Sequence, residues 1–297
     1  MGVGRRGPVP MTWPQDAVLS IQSQVAYGHV GNSAATLPLQ RLGFDVFPLN
    51  TVQLAHHPGY GAWRGHRVPP GQLGEILDGL IERGALSRCA ALLSGYLGAA
   101  EVSDLVLRAL GEVRAARPDA LYLCDPVIGD DGPGVFVAPD IPELIRDRLV
   151  PAADIVTPNR FELAWLAGRE VAGLDDALAA AATIRALGPR LVVATGLGSA
   201  DHPDELGVLA AAEDQAWLVR TPRRPVTLAG AGDAFSALFL GHYLREQTLP
   251  EALELAVSAM FALVETTFAS GAAELRLVAA QDQFAAPARR FTAERIR

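Results

Sequence analysis

The chain has 297 residues, half of them hydrophobic, a formal net charge of −8 and no lysine, all 25 of its Lys+Arg residues being arginine. That excludes a P-loop NTPase, which needs the lysine of its G-x-x-x-x-G-K-[ST] loop, and any enzyme that holds its cofactor as a lysine Schiff base. The acidic balance, with no basic run longer than an arginine pair such as Arg223-Arg224, argues against nucleic acid as a partner, and the longest apolar runs fall well short of the about 20 residues of a membrane span.

Residues 1–16 carry Arg5, Arg6 and three prolines but no apolar signal-peptide core, so they read as a flexible extension of a cytoplasmic protein. Residues 17–286 read as one α/β domain and 287–297 as a C-terminal tail. Short β-branched or apolar runs at 17–22, 44–49, 89–93, 121–124, 154–156 and 191–194 alternate with helical patterns at 32–42, 72–83, 101–116, 160–167 and 175–187. Runs at 206–212 and 215–220 flank Glu213-Asp214 and predict an antiparallel hairpin at one sheet edge. Two helices follow, at 232–246 and 250–268. Cys89 and Cys124 sit in apolar runs without C-x-x-C spacing and imply neither disulfide nor zinc. The order predicts a three-layer α/β/α fold with a mostly parallel sheet.

In such sheets ligands bind beyond the carboxyl ends of the strands, which makes the residue after each strand a candidate. The first strand leads into Ser23 and Asn32, caps or ligand contacts, around tight glycine turns. The second leads to His56-His57-Pro58; adjacent side chains point different ways and no nearby carboxylate completes a metal ligand set. Tyr96 follows the third strand. Asp125, after the fourth, is a candidate base or metal ligand, whereas Asp130-Asp131-Gly132 breaks the calcium-loop pattern and reads as a solvated turn. The fifth gives Thr157-Pro158-Asn159 with Glu162 three residues on, a spacing close to a capping box. Thr195-Gly196-Leu197-Gly198 lacks the third glycine of a dinucleotide fingerprint. Last, Gly230-Ala231-Gly232 opens a long apolar helix with Asp233 in its first turn. Free N–H groups and the positive dipole end there bind anions. Asp233 fits either a cap worth about 1 kcal/mol or a base that takes a proton from an attacking hydroxyl beside a bound phosphate.

The segments 20–35, 50–53, 94–98, 124–129, 157–162 and 230–233, read together, closely resemble the pyridoxal kinases of the ribokinase-like superfamily, and the match spans about residues 17–286. The resemblance implies a single-domain ribokinase-like fold, a homodimer, and ATP-dependent phosphorylation of the 5′-hydroxyl of pyridoxal. It makes Asp233 the base and Gly230, Ala231 and Gly232 the anion hole. It places Asp125 and Glu162 at Mg²⁺ and the phosphates, Thr157 at a phosphate or a monovalent cation such as K⁺, and Asn159 and Thr195 at ATP. Ser23 would bond the pyridine ring, with Val30, Val52, His57, Pro58 and Tyr96 around it. Pro58 departs from the family, which commonly has threonine there. A hydroxymethylpyrimidine kinase and a non-catalytic vitamin B6 binder remain as alternatives. Tyr96 and the Ser23 loop favour pyridoxal over the first, and the intact Asp125, Glu162 and Asp233 set argues against the second.

Overall fold

The computed structural model describes residues 16–198, 202–246 and 248–297, so the expected extension lies, except for Asp16, outside the described residues. Strand β1 (Ala17–Val25) precedes α1 (Asn32–Arg41), and β2 (Asp45–Leu54) precedes β3 (Gly65–Arg67) and α2 (Pro70–Glu82). Next come β4 (Cys89–Ser94), α3 (Val102–Ala116), β5 (Leu121–Cys124), β6 (Gly129–Asp130) and β7 (Gly134–Val135). A bent helix follows, made of α4 (Ile141–Leu144), a wide π turn at Ile145–Leu149 and α5 (Val150–Ala152). Then come β8 (Ile155–Val156), α6 (Arg160–Ala167), α7 (Leu174–Arg185), β9 (Leu191–Leu197), β10 (Glu205–Ala211) and β11 (Ala216–Pro222). The chain ends with α8 (Ala231–Arg245), α9 (Leu249–Ala269), α10 (Leu277–Ala280) and β12 (Glu294–Arg295).

Among the described residues ten strands form one sheet in the order β12-β11-β10-β9-β8-β5-β4-β1-β2-β3, while β6 and β7 pair apart from it. From β9 to β2 the neighbours run parallel, and β10, β11, β12 and β3 add antiparallel edges. The expected hairpin is β10–β11. The segment 287–297, expected as a tail, instead belongs to the fold. Its β12 pairs with β11, Phe291 meets Phe261 edge-on at 4.9 Å, and the Ala293 N–H donates to Glu254 at 2.9 Å.

Alternation along each strand sorts the core into two layers, because successive side chains point to opposite faces. In β1, Leu19 and Ile21 join Leu73, Leu77, Val106, Leu163 and Ile184 on the face covered by α2, α3, α6 and α7. Val18, with Leu93 and Leu123, faces Ala34, Leu39, Leu238, Leu253 and Leu263 of α1, α8 and α9. Each such leucine, isoleucine or valine side chain contributes about 1.5–3 kcal/mol by leaving water. Helix α9 has the length and composition of a membrane span, yet its inward residues are part of this second layer.

At the amino end of β8, away from the strands' carboxyl ends, Asp154 ties three strands to a helix. Its carboxylate accepts the Tyr122 N–H at 2.8 Å and the Arg114 guanidinium at 2.9 Å, and its carbonyl accepts the N–H groups of Arg190 and Leu191. Asp154→Ala should lower the free energy of unfolding by about 1–3 kcal/mol, since a backbone donor and a charge both lose their acceptor. Arg190→Ala, whose guanidinium is 3.8 Å from Asp154 and 58% exposed, should change it by less than about 0.5 kcal/mol. Urea denaturation of both variants beside the wild type measures the contrast.

Candidate active site

The β1–β2 register shifts between Gln22 and Gln24, so that Ser23 stands opposite two residues of β2, Thr51 and Val52, at a bulge in β2. Gly31 makes this fit possible. With φ of 53°, it lies so close that a Cβ would sit 2.2 Å from the Ser23 carbonyl and 2.3 Å from its hydroxyl. Asn32, at the start of α1, is neither an exposed cap nor a ligand contact. It is 1% exposed, accepts the Ser20 hydroxyl at 2.7 Å and donates to Asn50 at 2.8 Å, which locks α1 against β1 and β2. This lock leaves Val30 and Val52 in one small apolar cluster with Val25, Leu54, Tyr96 and Ala229. Gly98, with φ of 75°, lets the loop after β4 close on Val52, and Thr51 pins that loop by donating to the Tyr96 carbonyl at 2.7 Å. The cluster reaches from the expected ring-binding residues to Ala229, next to the glycine turn.

On the other side of that turn, Gly230 adopts φ of 80° and caps α8. Helix geometry leaves the first-turn N–H groups of Gly232 and Asp233 without partners inside the helix, as an anion site requires. Asp233 is partly exposed. Desolvation raises its pKa from the ordinary value, opposed by a hydrogen bond from the Gly31 backbone. Asp125, 5% exposed at the end of β5, is raised well above the usual range by burial and then by the charges of Glu162 and Asp233. A Cβ on Gly232 would stand 3.9 Å from its Oδ2, so the turn and the strand-end carboxylate share one space.

Glu162 completes a true capping box: Asn159 accepts the Glu162 N–H at 2.9 Å, and Glu162 accepts the Asn159 N–H at 3.0 Å. Its other oxygen accepts the N–H groups of Ile128 and Gly129, at 2.9 and 3.4 Å, which fixes the loop after β5. Burial still pushes its pKa up to about 8 against these bonds. Thr195, at the end of β9, lies beside Asn159 and donates its N–H to Pro158. The structure therefore gathers Asp125, Thr157, Asn159, Glu162, Thr195 and the 230–233 turn at the carboxyl ends of β5, β8 and β9, with Ser23, Val30, Val52 and Tyr96 at the adjoining strands.

The comparisons with known proteins agree with this geometry. The phosphomethylpyrimidine kinase family model matches residues 66–277. The pyridoxal kinase PdxY of Rubrobacter xylanophilus is 52% identical over 281 residues, covering 94% of this chain and 97% of the relative. The chain belongs to the pyridoxal kinase family. The pyridoxal kinase PdxY of Deinococcus radiodurans is 50% identical over 97% of this chain and 99% of its own. Among solved structures, the pyridoxal kinase of Leishmania donovani in complex with ADP and ginkgotoxin superposes with a TM-score of 0.90 at 33% identity, covering 95% of this chain and all of that one.

Within this pyridoxal kinase fold, the loop at 56–61 forms a single tight turn. His57 caps it by accepting the Gly59 N–H, and burial lowers the pKa of its ring. Pro58 begins the turn and is exposed. A carboxylate absent from the neighbouring sequence does approach: Glu274 lies near His57, yet among the described residues no three His, Cys, Asp or Glu side chains gather as a metal site. Hard oxygen donors bearing uncompensated charge fit a divalent cation that takes one or two carboxylates and completes its shell with water and phosphate, the habit of Mg²⁺.

One polar residue escaped the sequence. The Ser236 hydroxyl donates to Asp125 Oδ2 at 2.9 Å and meets the Thr157 hydroxyl at 2.8 Å, so it joins two strand ends to α8. Its only signal is its spacing, three residues after Asp233 on the same helix face. Ser236→Ala should leave the Asp125 carboxylate free to turn. Steady-state assays should show kcat reduced roughly three- to tenfold and half-saturation by Mg-ATP raised, with KM for pyridoxal within about twofold. Unchanged Mg-ATP dependence would remove Ser236 from the site.

Proposed function

We propose that the chain transfers the γ-phosphoryl group of ATP to the 5′-hydroxyl of pyridoxal, giving pyridoxal 5′-phosphate. One observation carries the reading. The apolar cluster of Val30, Val52 and Tyr96 continues through Ala229 directly into the Gly230–Gly232 turn, where Asp233 waits at the helix end. A flat ring held by that cluster presents its hydroxymethyl arm to the carboxylate. The pyridoxal kinase of Leishmania donovani has been solved with ADP and with pyridoxine or pyridoxamine, at 33% identity, which fits small aromatic alcohols of this kind.

The chemistry asked of the protein is positioning and charge stabilisation. Asp233 accepts the hydroxyl proton, and its raised pKa brings it nearer the range where a general base works well at neutral pH. The N–H groups at the start of α8 face the oxygens on which negative charge accumulates. Ser23, at the bulge, holds the ring, with His57 and Pro58 at its outer side. Asn159 and Thr195 lie where strands β8 and β9 end and would contact ATP. Asp125 and Glu162 would hold Mg²⁺, which neutralises phosphate charge, and Thr157 would serve a phosphate or K⁺. The resemblance further supports a cytoplasmic homodimer.

Two measurements test the reading. Incubation with Mg-ATP and either pyridoxal or hydroxymethylpyrimidine, with the product identified, should give pyridoxal 5′-phosphate. Faster turnover of the pyrimidine would overturn the substrate assignment. Asp233→Asn keeps the shape and loses the base, so kcat should fall roughly 10²- to 10⁴-fold while KM changes little. Near-normal kcat would return Asp233 to the role of a helix cap.

A further inference from the structure

We propose that Glu274 is a positioning residue for the phosphoryl transfer, its carboxylate fixing the 27–31 segment against the anion turn while holding the 56–61 loop over the substrate cluster. The inference rests on the pyridoxal kinase reading, its anion turn and base included, and adds a residue given no role there. Glu274 lies in the connection between α9 and α10, far along the chain from both segments that it touches. Its Oε2 accepts the His29 N–H at 3.1 Å, and its Oε1 accepts the Tyr60 hydroxyl in a short hydrogen bond. The Gly28 backbone passes flush against the same group. With φ of 89°, it leaves so little room that a Cβ would stand 2.5 Å from Glu274 Oε2.

The far side of this segment faces the chemistry. A Cβ on Gly230 would lie 1.8 Å from the His29 carbonyl oxygen, so the segment and the anion turn are in direct backbone contact. The Gly31 backbone lies close enough to Asp233 to lower its pKa, and Val30, beside Gly31, belongs to the apolar cluster. The segment therefore has Glu274 on one side and the turn and base on the other. A displacement of His29 would be felt at Gly230 and Asp233 together.

The loop side has the opposite character. Tyr60 is 46% exposed, and its ring stands 6.0 and 6.1 Å from the rings of His56 and His57. The backbone turn bonds, from the Tyr60 N–H to the His57 carbonyl and from the Gly61 N–H to the Pro58 carbonyl, are local to the loop. The Tyr60 hydroxyl reaches outside it to Glu274, and that bond is the main reason its pKa is pushed up to about 12, so the proton stays on tyrosine as the donor. One carboxylate thus accepts from the substrate-side loop with one oxygen and from the phosphate-side segment with the other. A pair this exposed contributes little to global stability, which separates a positioning role from a structural one.

Tyr60→Phe, Glu274→Ala, Glu274→Gln and the double variant Tyr60→Phe/Glu274→Ala should be assayed with each substrate varied in turn. Their melting and their amide hydrogen exchange over 27–31 and 56–61 should be followed beside the wild type. Tyr60→Phe frees only the loop, and KM for pyridoxal should rise roughly two- to tenfold with kcat and KM for ATP within about twofold. Glu274→Ala frees both segments: KM for pyridoxal rises at least as far and kcat falls roughly tenfold. Glu274→Gln, which keeps one acceptor oxygen, should fall between. The double variant should match Glu274→Ala, and exchange should quicken over both segments without a lower melting temperature. Wild-type constants in Tyr60→Phe and Glu274→Ala, additive effects in the double variant, or losses that track a fall in melting would each overturn the proposal. If the wild type fails to phosphorylate pyridoxal, the substrate reading fails instead, and unchanged exchange in Glu274→Ala remains the result that overturns the positioning role.

Discussion

The candidate site turns on three carboxylates crowded beyond the carboxyl ends of β5 and β8 and at the start of α8. Asp125 and Glu162 are buried and Asp233 is partly so, and at Asp125 the charges of the other two add to the cost of burial. A chain without lysine answers with main-chain amides and a hydroxyl: Ile128, Gly129 and Asn159 for Glu162, Ser236 for Asp125, Gly31 for Asp233. These partners lower the cost without cancelling the charge, since every one of them is neutral. The surrounding fold must supply the rigidity that keeps the carboxylates from moving apart.

Much of that rigidity comes from glycines that permit close backbone contact. Gly31 lets the loop after β1 close on Ser23, and Gly230 lets the anion turn meet His29. Each would need a different backbone if it carried a side chain. The loop after β1 and the turn that opens α8 are therefore joined by main chain, which is stiffer than any side-chain bridge.

What the sequence revealed follows the strength of local signals. The runs at 121–124 and 160–167 match β5 and α6 because their apolar pattern and flanking breaks are self-contained. β1 and β2 run further than expected, through Ser23-Gln24 and Asn50-Thr51, because their polar ends are paired in the sheet at the site and periodicity cannot see a partner strand. β3, β6, β7 and β12 are two or three residues long and exist only through pairing. The helix over 141–152 hides behind Pro142 and Pro151, which suppress the helical pattern without preventing a bent helix. Asp125, Glu162 and Asp233 were visible from their places at strand ends and a helix start. Ser236 and Glu274 were not, since their meaning comes from partners up to 245 residues away.

The strand order has a consequence for synthesis. From β4 onward every strand of the main sheet adds to the same edge in the sequence in which it is made, ending with β12. A chain emerging from the ribosome can thus extend its sheet without inserting a strand between two already paired, and the layer of α2, α3, α6 and α7 can be covered as it appears. The opposite layer cannot. Helix α1 is made almost first, but α8 and α9, which cover its apolar face, are made almost last. During most of translation one side of the nascent sheet stays bare, and the anion turn that opens α8 is installed only when that side is finally closed. Competence for catalysis and burial of the last greasy surface are thereby reached in the same step.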